Sequence, residues 1–470
     1  MSVPTERPNR VLVVLLLAGV AFALSQTLVI PALPDLARDL DASPTAASWV
    51  LTAFLLSASV ATPIVGKLGD VHGKGRVLTA VMLLFSAGAV INALAPSIEV
   101  LIAGRVLQGV AGGVFPLAFG IVRDTFPPRQ VSGALGTVSA IFGIGAGIGL
   151  PLSGVIVDNV AIEWLFWSGL IVALPAALAA HRMIPPSPTA TGVAIDWPGA
   201  ALLSLALAAI LLGVSEADDW GWGSPANVGT IAAGLLLAGA FVRVETRVAD
   251  PLIDLQVLRR PAVAATNLTG FMIGLAMFAS FLLIPQFAQS PESTGYGFGA
   301  SVTVAGLLLV PAALTQLVAG PFAGRLGTRI GHRTVLATGA LLTSSAFVWL
   351  TVAHEHPWEV LVSSALLGAG ISFAFAAMAN LIVRAVPQSD VGIATGINTV
   401  MRTMGGSFGA SIATAILAAS AVSAADLPTE GAYTAAFAFS AVAGLLAFGA
   451  ALLVPRTGPA PVAAPARAQA

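Results

Sequence analysis

Apolar residues in this chain run in long blocks, without the strict alternation that marks half-buried strands. The blocks fall at roughly 11–30, 46–66, 77–95, 99–121, 132–157, 164–183, 198–214, 228–244, 263–285, 300–322, 335–353, 359–383, 392–420 and 432–454. Each is long enough to cross about 30 Å of hydrocarbon as a tilted helix. Inside lipid a spanning segment must satisfy its own backbone polar groups, and blocks of this length do so as helices. The pattern predicts an all-α polytopic membrane protein with 14 transmembrane helices.

Composition agrees with lipid as the solvent. The 470 residues are 57% hydrophobic and 9% charged, with a mean hydropathy of +0.92. A soluble fold of this size could not hide that much apolar surface. There is no cysteine, which excludes disulfides and thiolate metal sites. Arg7 and Arg10, the run "VLVVLLLAGV" and Ala21-Phe22-Ala23 resemble a cleavable leader. The apolar run continues past Ala23, however, and a first transmembrane helix with positive cytoplasmic flanks explains the same residues.

The charges orient the map. With the N-terminus inside, 18 of the 21 Lys and Arg residues fall on the cytoplasmic side, Arg38 lies outside, and Arg105 and Arg402 lie within spans. Of the 22 acids, 14 fall outside and 8 inside, and none lies well within a span. This positive-inside asymmetry predicts an even span count and two cytoplasmic termini.

Two loops repeat. "GKLGDVHGKGR" (66–76) and "GRLGTRIGHRT" (324–334) share glycines at 66/324, 69/327 and 73/331, and Asp70 faces Thr328. Each follows the second span of a six-span half, as in transporters built from duplicated bundles. The expected units are 1–190 and 247–457, two pseudo-symmetric six-helix bundles. Two additional helices occupy 191–246 between them, and a Pro/Ala-rich tail at 458–470 reads as disordered.

At this point the residues resemble the major facilitator superfamily over nearly the whole chain. Loop 66–76 resembles the family signature G-x-L-a-D-r-x-G-r-k. "LIAGRVLQGVAGG" (101–113) resembles its fourth-span motif, and "GIGAGIGLPLSG" (143–154) its fifth-span antiporter motif. "IDWPGA" (195–200), "DPLIDLQVLR" (250–259) and "GINTVMRTMGGSFG" (396–409) are similar to the fourteen-span drug–proton antiporter subfamily. One departure stands out: where that subfamily's first span carries an acid, this chain reads Ser25, and where it carries Asn, Ile30.

The resemblance implies an alternating-access exporter. Gly66, Asp70, Gly73, Lys74, Arg76 and Asp124 would form a cytoplasmic gate, with Asp70 against the helix that starts near Val391 and Lys74 or Arg76 pairing with Asp124. Ser25, Gln26, Thr27, Arg105, Gln108, Asn398 and Arg402 would line the cavity. An intramembrane arginine is costly unless it faces water or a partner, by about 2.5–3.5 kcal/mol on the mildest scale. Gly143, Gly147, Pro151 and Gly154 read as close-packing and bending positions on one helix. Asp35, Asp158 and Asp124, all at helix ends, are the acids available for proton coupling.

A cavity with arginines and no acid predicts neutral lipophilic or anionic substrates over a permanent dication. A lipid translocator on the same fold and a non-transporting scaffold or sensor are the alternatives. Nothing in the sequence points to an enzyme, a cofactor, a metal, a nucleotide or nucleic acid. The expected partners are a small-molecule substrate, protons and lipid, for a monomer in the inner membrane of a bacterium.

Overall fold

The computed structural model describes residues 8–187, 196–248, 251–420 and 427–456. Linker residues 188–195 and the tail from 457 onward lie outside the described residues. The long helical segments, in chain order, are α1 (Pro8–Thr27), α2 (Pro44–His72), α3 (Lys74–Ala93), α4 (Ile98–Thr125), α5 (Pro128–Asn159), α6 (Trp164–Met183) and α7 (Trp197–Ser215). They continue as α8 (Pro225–Glu245), α9 (Pro261–Gln289), α10 (Thr303–Ile330), α11 (His332–Val352), α12 (Pro357–Ala385), α13 (Val391–Ala418) and α14 (Glu430–Leu452).

Twelve of these are long and apolar enough to cross a membrane among the described residues, all except α5 and α13. Both exceptions are long, at 32 and 28 residues. Hydropathy is diluted in α13 by Arg402 and by glycines, threonines and serines. Local chemistry sets the helix starts. Proline occupies the first turn of α2, α5, α7, α8, α9 and α12, where its missing N–H costs nothing. Ser43, Asp196, Ser224 and Thr429 cap α2, α7, α8 and α14 through side-chain oxygens. A 3₁₀ turn at Val110–Gly113 interrupts α4.

Among the described residues two apolar cores dominate, with two smaller clusters beside them. One is built mainly from α1 to α6 around Phe85, Phe115 and Leu135. The other is built from α9 to α14 around Phe287, Phe347 and Phe437. With lipid outside there is little hydrophobic drive between helices, so close backbone approach matters more. The bodies meet through α5 on α10 and α12, and through α13 on α2 and α4. A Cβ on Gly136 would stand 2.2 Å from the Gly320 carbonyl, so α5 and α10 touch backbone to backbone. α7 and α8 pack on each other, and α7 rests on α2 and α13.

Candidate functional site

The repeated loops are helix–Gly–helix junctions. Gly73 (φ 97°) and Gly331 (φ 89°) both sit in a backbone region that favours glycine, and each lets one helix follow another without a linker. The first junction carries charge. Lys74 Nζ lies 3.3 Å from Asp70 Oδ1 and 3.1 Å from Asp124 Oδ2, and all three side chains are buried. The lysine stem passes over Gly120, where any Cβ would collide with it. Arg76 is exposed, and Lys74 makes the contact with Asp124. In the second junction Thr328 and His332 take the places of Asp70 and Lys74, and His332 is also buried.

This end of the molecule is where the two bodies are tied together. Gly66 and Gly392 meet face to face, since a Cβ on either would lie 2.6 Å from the other's carbonyl oxygen. Asp70 Oδ2 sits beside Gly392 in the first turn of α13. Gln388 Nε2 donates to Asp124 Oδ1 at 2.7 Å. Arg123 Nη1 donates to the Val386 carbonyl at 3.1 Å, and Arg384 Nη2 donates to Ser132 Oγ at 3.1 Å. Gln388, Arg123, Arg384 and Ser132 are absent from the sequence reading. A signal for the arginines existed: "IVRD" (121–124) and "IVRA" (382–385) end α4 and α12 alike.

Beyond these contacts, toward the Thr27 and Ser215 ends of α1 and α7, lies a cavity of about 300 Å³. Gln26, Thr27, Thr52, Ser215, Gln316, Thr403, Ser407, Ser411 and Thr414 give it hydroxyl and amide groups. Ile30, Leu55, Met277, Phe278 and Phe281 give it apolar wall. None of the described residues lining it is charged. Gln26, Leu55, Phe278 and Thr403 also border a smaller pocket whose wall includes Arg402. The Arg402 guanidinium lies 4.2 Å over the Phe375 ring. Thr403, Ser407 and Ser411 recur at four-residue spacing on one face of α13, a readable stripe absent from the sequence reading.

Four residues assigned to the cavity from sequence stand elsewhere. Arg105 is fully buried behind it. Its Nε donates to the Val50 carbonyl at 3.0 Å, and its Nη1 donates to the Ser25 carbonyl at 3.0 Å, to Ser25 Oγ at 3.1 Å and to Gln108 Oε1 at 3.0 Å. The guanidinium stacks over Phe54. Ser25 and Gln108 therefore belong to a buried knot tying α1, α2 and α4, with Asn92 Nδ2 donating to Gln108 Oε1 at 2.8 Å. Residues 25 and 26 point apart because neighbours on a helix are turned by about 100°. Asn398 is also buried, and its Nδ2 donates to Asn267 Oδ1 at 3.1 Å between α13 and α9.

Of the coupling candidates, Asp35 pairs with Arg38 in the short helix Leu33–Asp39, and Asp124 sits in the buried triad. The Asp158 side chain and the surroundings of Gly143 and Gly147 lie outside the described residues. Their neighbours on α5 show close packing: Gly145 lies against Ala23, Thr27 Oγ1 donates to the Gly145 carbonyl at 2.7 Å, and Gly149 lies against Thr27. Gly154 lies against Thr303 of α10, and Pro151 is interior to α5.

Comparison with known proteins fits this geometry. The model of the Major Facilitator Superfamily matches residues 15–296 and 266–470. The multidrug transporter protein MdtP of Bacillus subtilis is 26% identical over 423 residues, covering 89% of this chain and 77% of that protein. The tetracenomycin C resistance and export protein of Streptomyces glaucescens is 28% identical over 417 residues, covering 88% and 76%. An uncharacterised MFS-type transporter of Mycobacterium tuberculosis is 29% identical over 408 residues, 86% of this chain; the match spans only 58% of that longer relative. The crystal structure of the human organic anion transporter MFSD10 superposes with a TM-score of 0.68 at 17% identity, covering 95% of this chain and 100% of that one. The proton:xylose symporter XylE superposes at 0.65 and 15%, covering 96% and 97%. At these identities the likeness to the two structures is one of fold.

Proposed function

The chain belongs to the major facilitator superfamily, and from that premise we propose an alternating-access exporter of neutral lipophilic or anionic small molecules, including drugs and antibiotics. In this reading all fourteen long helices span the inner membrane of a bacterium with both termini cytoplasmic. The bundles 1–190 and 247–457 rock about the cavity, and 191–246 forms an inserted helix pair. The Asp70–Lys74–Asp124 end is the cytoplasmic gate, closed in this structure. The multidrug and export functions in the relatives' names support this class.

The observation that carries the substrate reading is the cavity wall. It offers aromatic and aliphatic surface, hydroxyls and amides, with no charged group among the described lining residues and Arg402 in the adjoining pocket. Such a wall desolvates a lipophilic solute cheaply, and it gives a cation no counter-charge. Proton coupling is the proposed driving force, with Asp124 in the gate as the buried acid. Transport in proteoliposomes with an imposed pH gradient tests the reading. Uptake of neutral and anionic lipophiles, weakened in the Asp124→Asn variant, is expected. Strong pH-independent transport of a quaternary dication such as dequalinium would overturn the substrate class, and no transport under any gradient would overturn the exporter.

A further inference from the structure

A second buried acidic feature lies where the inserted helix pair meets the gate. Asp196 caps α7 through Oδ1, which accepts from Gly199 N at 2.9 Å. Glu245 ends α8, and its Oε1 accepts from the backbone N–H of Ile253. The other two oxygens, Asp196 Oδ2 and Glu245 Oε2, are buried and have no donor among the described residues. Asp196 and Glu245 are 7% and 4% exposed. They face each other across Gly199: a Cβ there would lie 2.2 Å from Asp196 Oδ2 and 2.9 Å from Glu245 Oε2, so both oxygens border the same point.

Two ionised carboxylates cannot share such a place. Each buried acceptor without a donor is costly, and the two charges repel. A metal ion is a poor solution, because hard cations take six or more oxygen ligands. Among the described residues no cluster of three or more metal-ligating side chains exists. One proton satisfies both orphan oxygens at once. We propose that Asp196 and Glu245 form a single-proton site, occupied when the gate is closed, whose deprotonation loosens the gate.

The groups around the pair give the linkage. Among the described residues Lys67 of α2 is the charged neighbour, and its Nζ donates to the Pro251 carbonyl at 3.2 Å. Leu252, Ile253 and Ile393 of α13 form a buried apolar cluster with Ala200 of α7 and Phe241 of α8. Lys67 adjoins Gly66, whose backbone meets Gly392 across the gate. In the closed state the pair is one carboxylate and one carboxyl group sharing a proton. Loss of that proton to water leaves two carboxylates, which repel each other and draw Lys67 away from Pro251. The movement bears directly on the Gly66–Gly392 contact. The link to gating rests on the alternating-access reading; the shared proton does not.

Two measurements on the full-length protein in lipid nanodiscs separate these parts. Acid-minus-alkaline infrared difference spectra should show the C=O band of a buried protonated carboxyl, lost in Glu245→Gln. The amide in that variant keeps an acceptor for Ile253 N–H and supplies a permanent donor to Asp196. Asp196→Asn, which retains the α7 cap, is the second variant and should lose the same band. Identical spectra in wild type and both variants would overturn the site. Because the chain has no cysteine, spin labels at His72→Cys and Arg329→Cys, exposed residues of the two bodies, report the gate without background. Their distance should lengthen at alkaline pH in the wild type and stay short at all pH in Glu245→Gln. A band that disappears with no pH dependence of the wild-type distance would overturn the gate linkage alone, and neither result depends on whether a given substrate is transported.

Discussion

Arg105 Nη1 lies 3.1 Å from Ser25 Oγ, joining α4 to α1 in a buried knot that contains a guanidinium and only neutral acceptors. Among the described residues Arg105 Nη2 has no acceptor. The serine stands where the resembling subfamily has an acid, so this contact shows what an acid there would touch. Ser25→Asp should place a carboxylate against the guanidinium. A hydrogen bond to a charged group contributes about 1.5–3 kcal/mol, and thermal unfolding should shift upward accordingly. A lower Tm with transport unchanged would count against the contact.

Lys74, in the proposed gate, has a larger expected effect. Lys74 is the cation between two buried carboxylates. Removing one partner of a buried ion pair costs about 3–5 kcal/mol, because the remaining charge stays desolvated. Lys74→Met should therefore separate α3 from the end of α4 and shift the gate-end label distance toward the open value. Export should fall by an order of magnitude or more. Arg76→Met, at the exposed neighbour, is the control and should leave both readouts near wild type. Equal behaviour of the two variants would refute the triad.

These residues show what was legible in the sequence and what was not. Apolar block length marked the helices, since lipid demands continuous apolar surface whatever lies on the other side. Asp70 and Lys74 are four residues apart but lie on different helices, and their contact depends on the turn that Gly73 makes between them. Cavity membership depends on how each helix is rotated, and rotation is set by packing. Gln26 and Thr27 line the cavity while Ser25 turns to Arg105. Lys74 and Asp124 are 50 residues apart and were paired only through the family resemblance. Asp196 and Glu245, which no motif links, were not paired at all.

Glycine contacts across the proposed gate allow a steric test. A Cβ on Gly392 would lie 2.6 Å from the Gly66 carbonyl and 2.8 Å from Asp70 Oδ2, both inside van der Waals contact. Gly392→Ala should push α13 off α2 at this end, lengthening the gate distance and lowering transport. Gly133→Ala places its methyl 3.7 Å from the Arg325 side chain, an ordinary contact, and should be tolerated. Overpacking of this kind typically costs about 1–3 kcal/mol, enough to invert a gate balanced within that range. Normal gate distances in Gly392→Ala would mean that the two backbones are not held in contact in the closed state.

Arg402 tests the charge selectivity of the cavity. It is buried over Phe375 in the wall of the small pocket, next to Gln26 and Thr403, which the main cavity shares. Its field falls off slowly through a low-dielectric wall, so it acts on a charged solute without direct contact. Arg402→Gln keeps hydrogen-bond donors and removes the charge. Apparent KM for an anionic lipophile should rise about tenfold to a hundredfold, equivalent to about 1.4–2.8 kcal/mol. A neutral analogue of the same size should change by less than about threefold, because its binding rests on Phe278, Phe281 and the hydroxyl face of α13. Parallel loss for both substrates would assign Arg402 to holding α13 against α12, and would remove the electrostatic basis for preferring anions over cations.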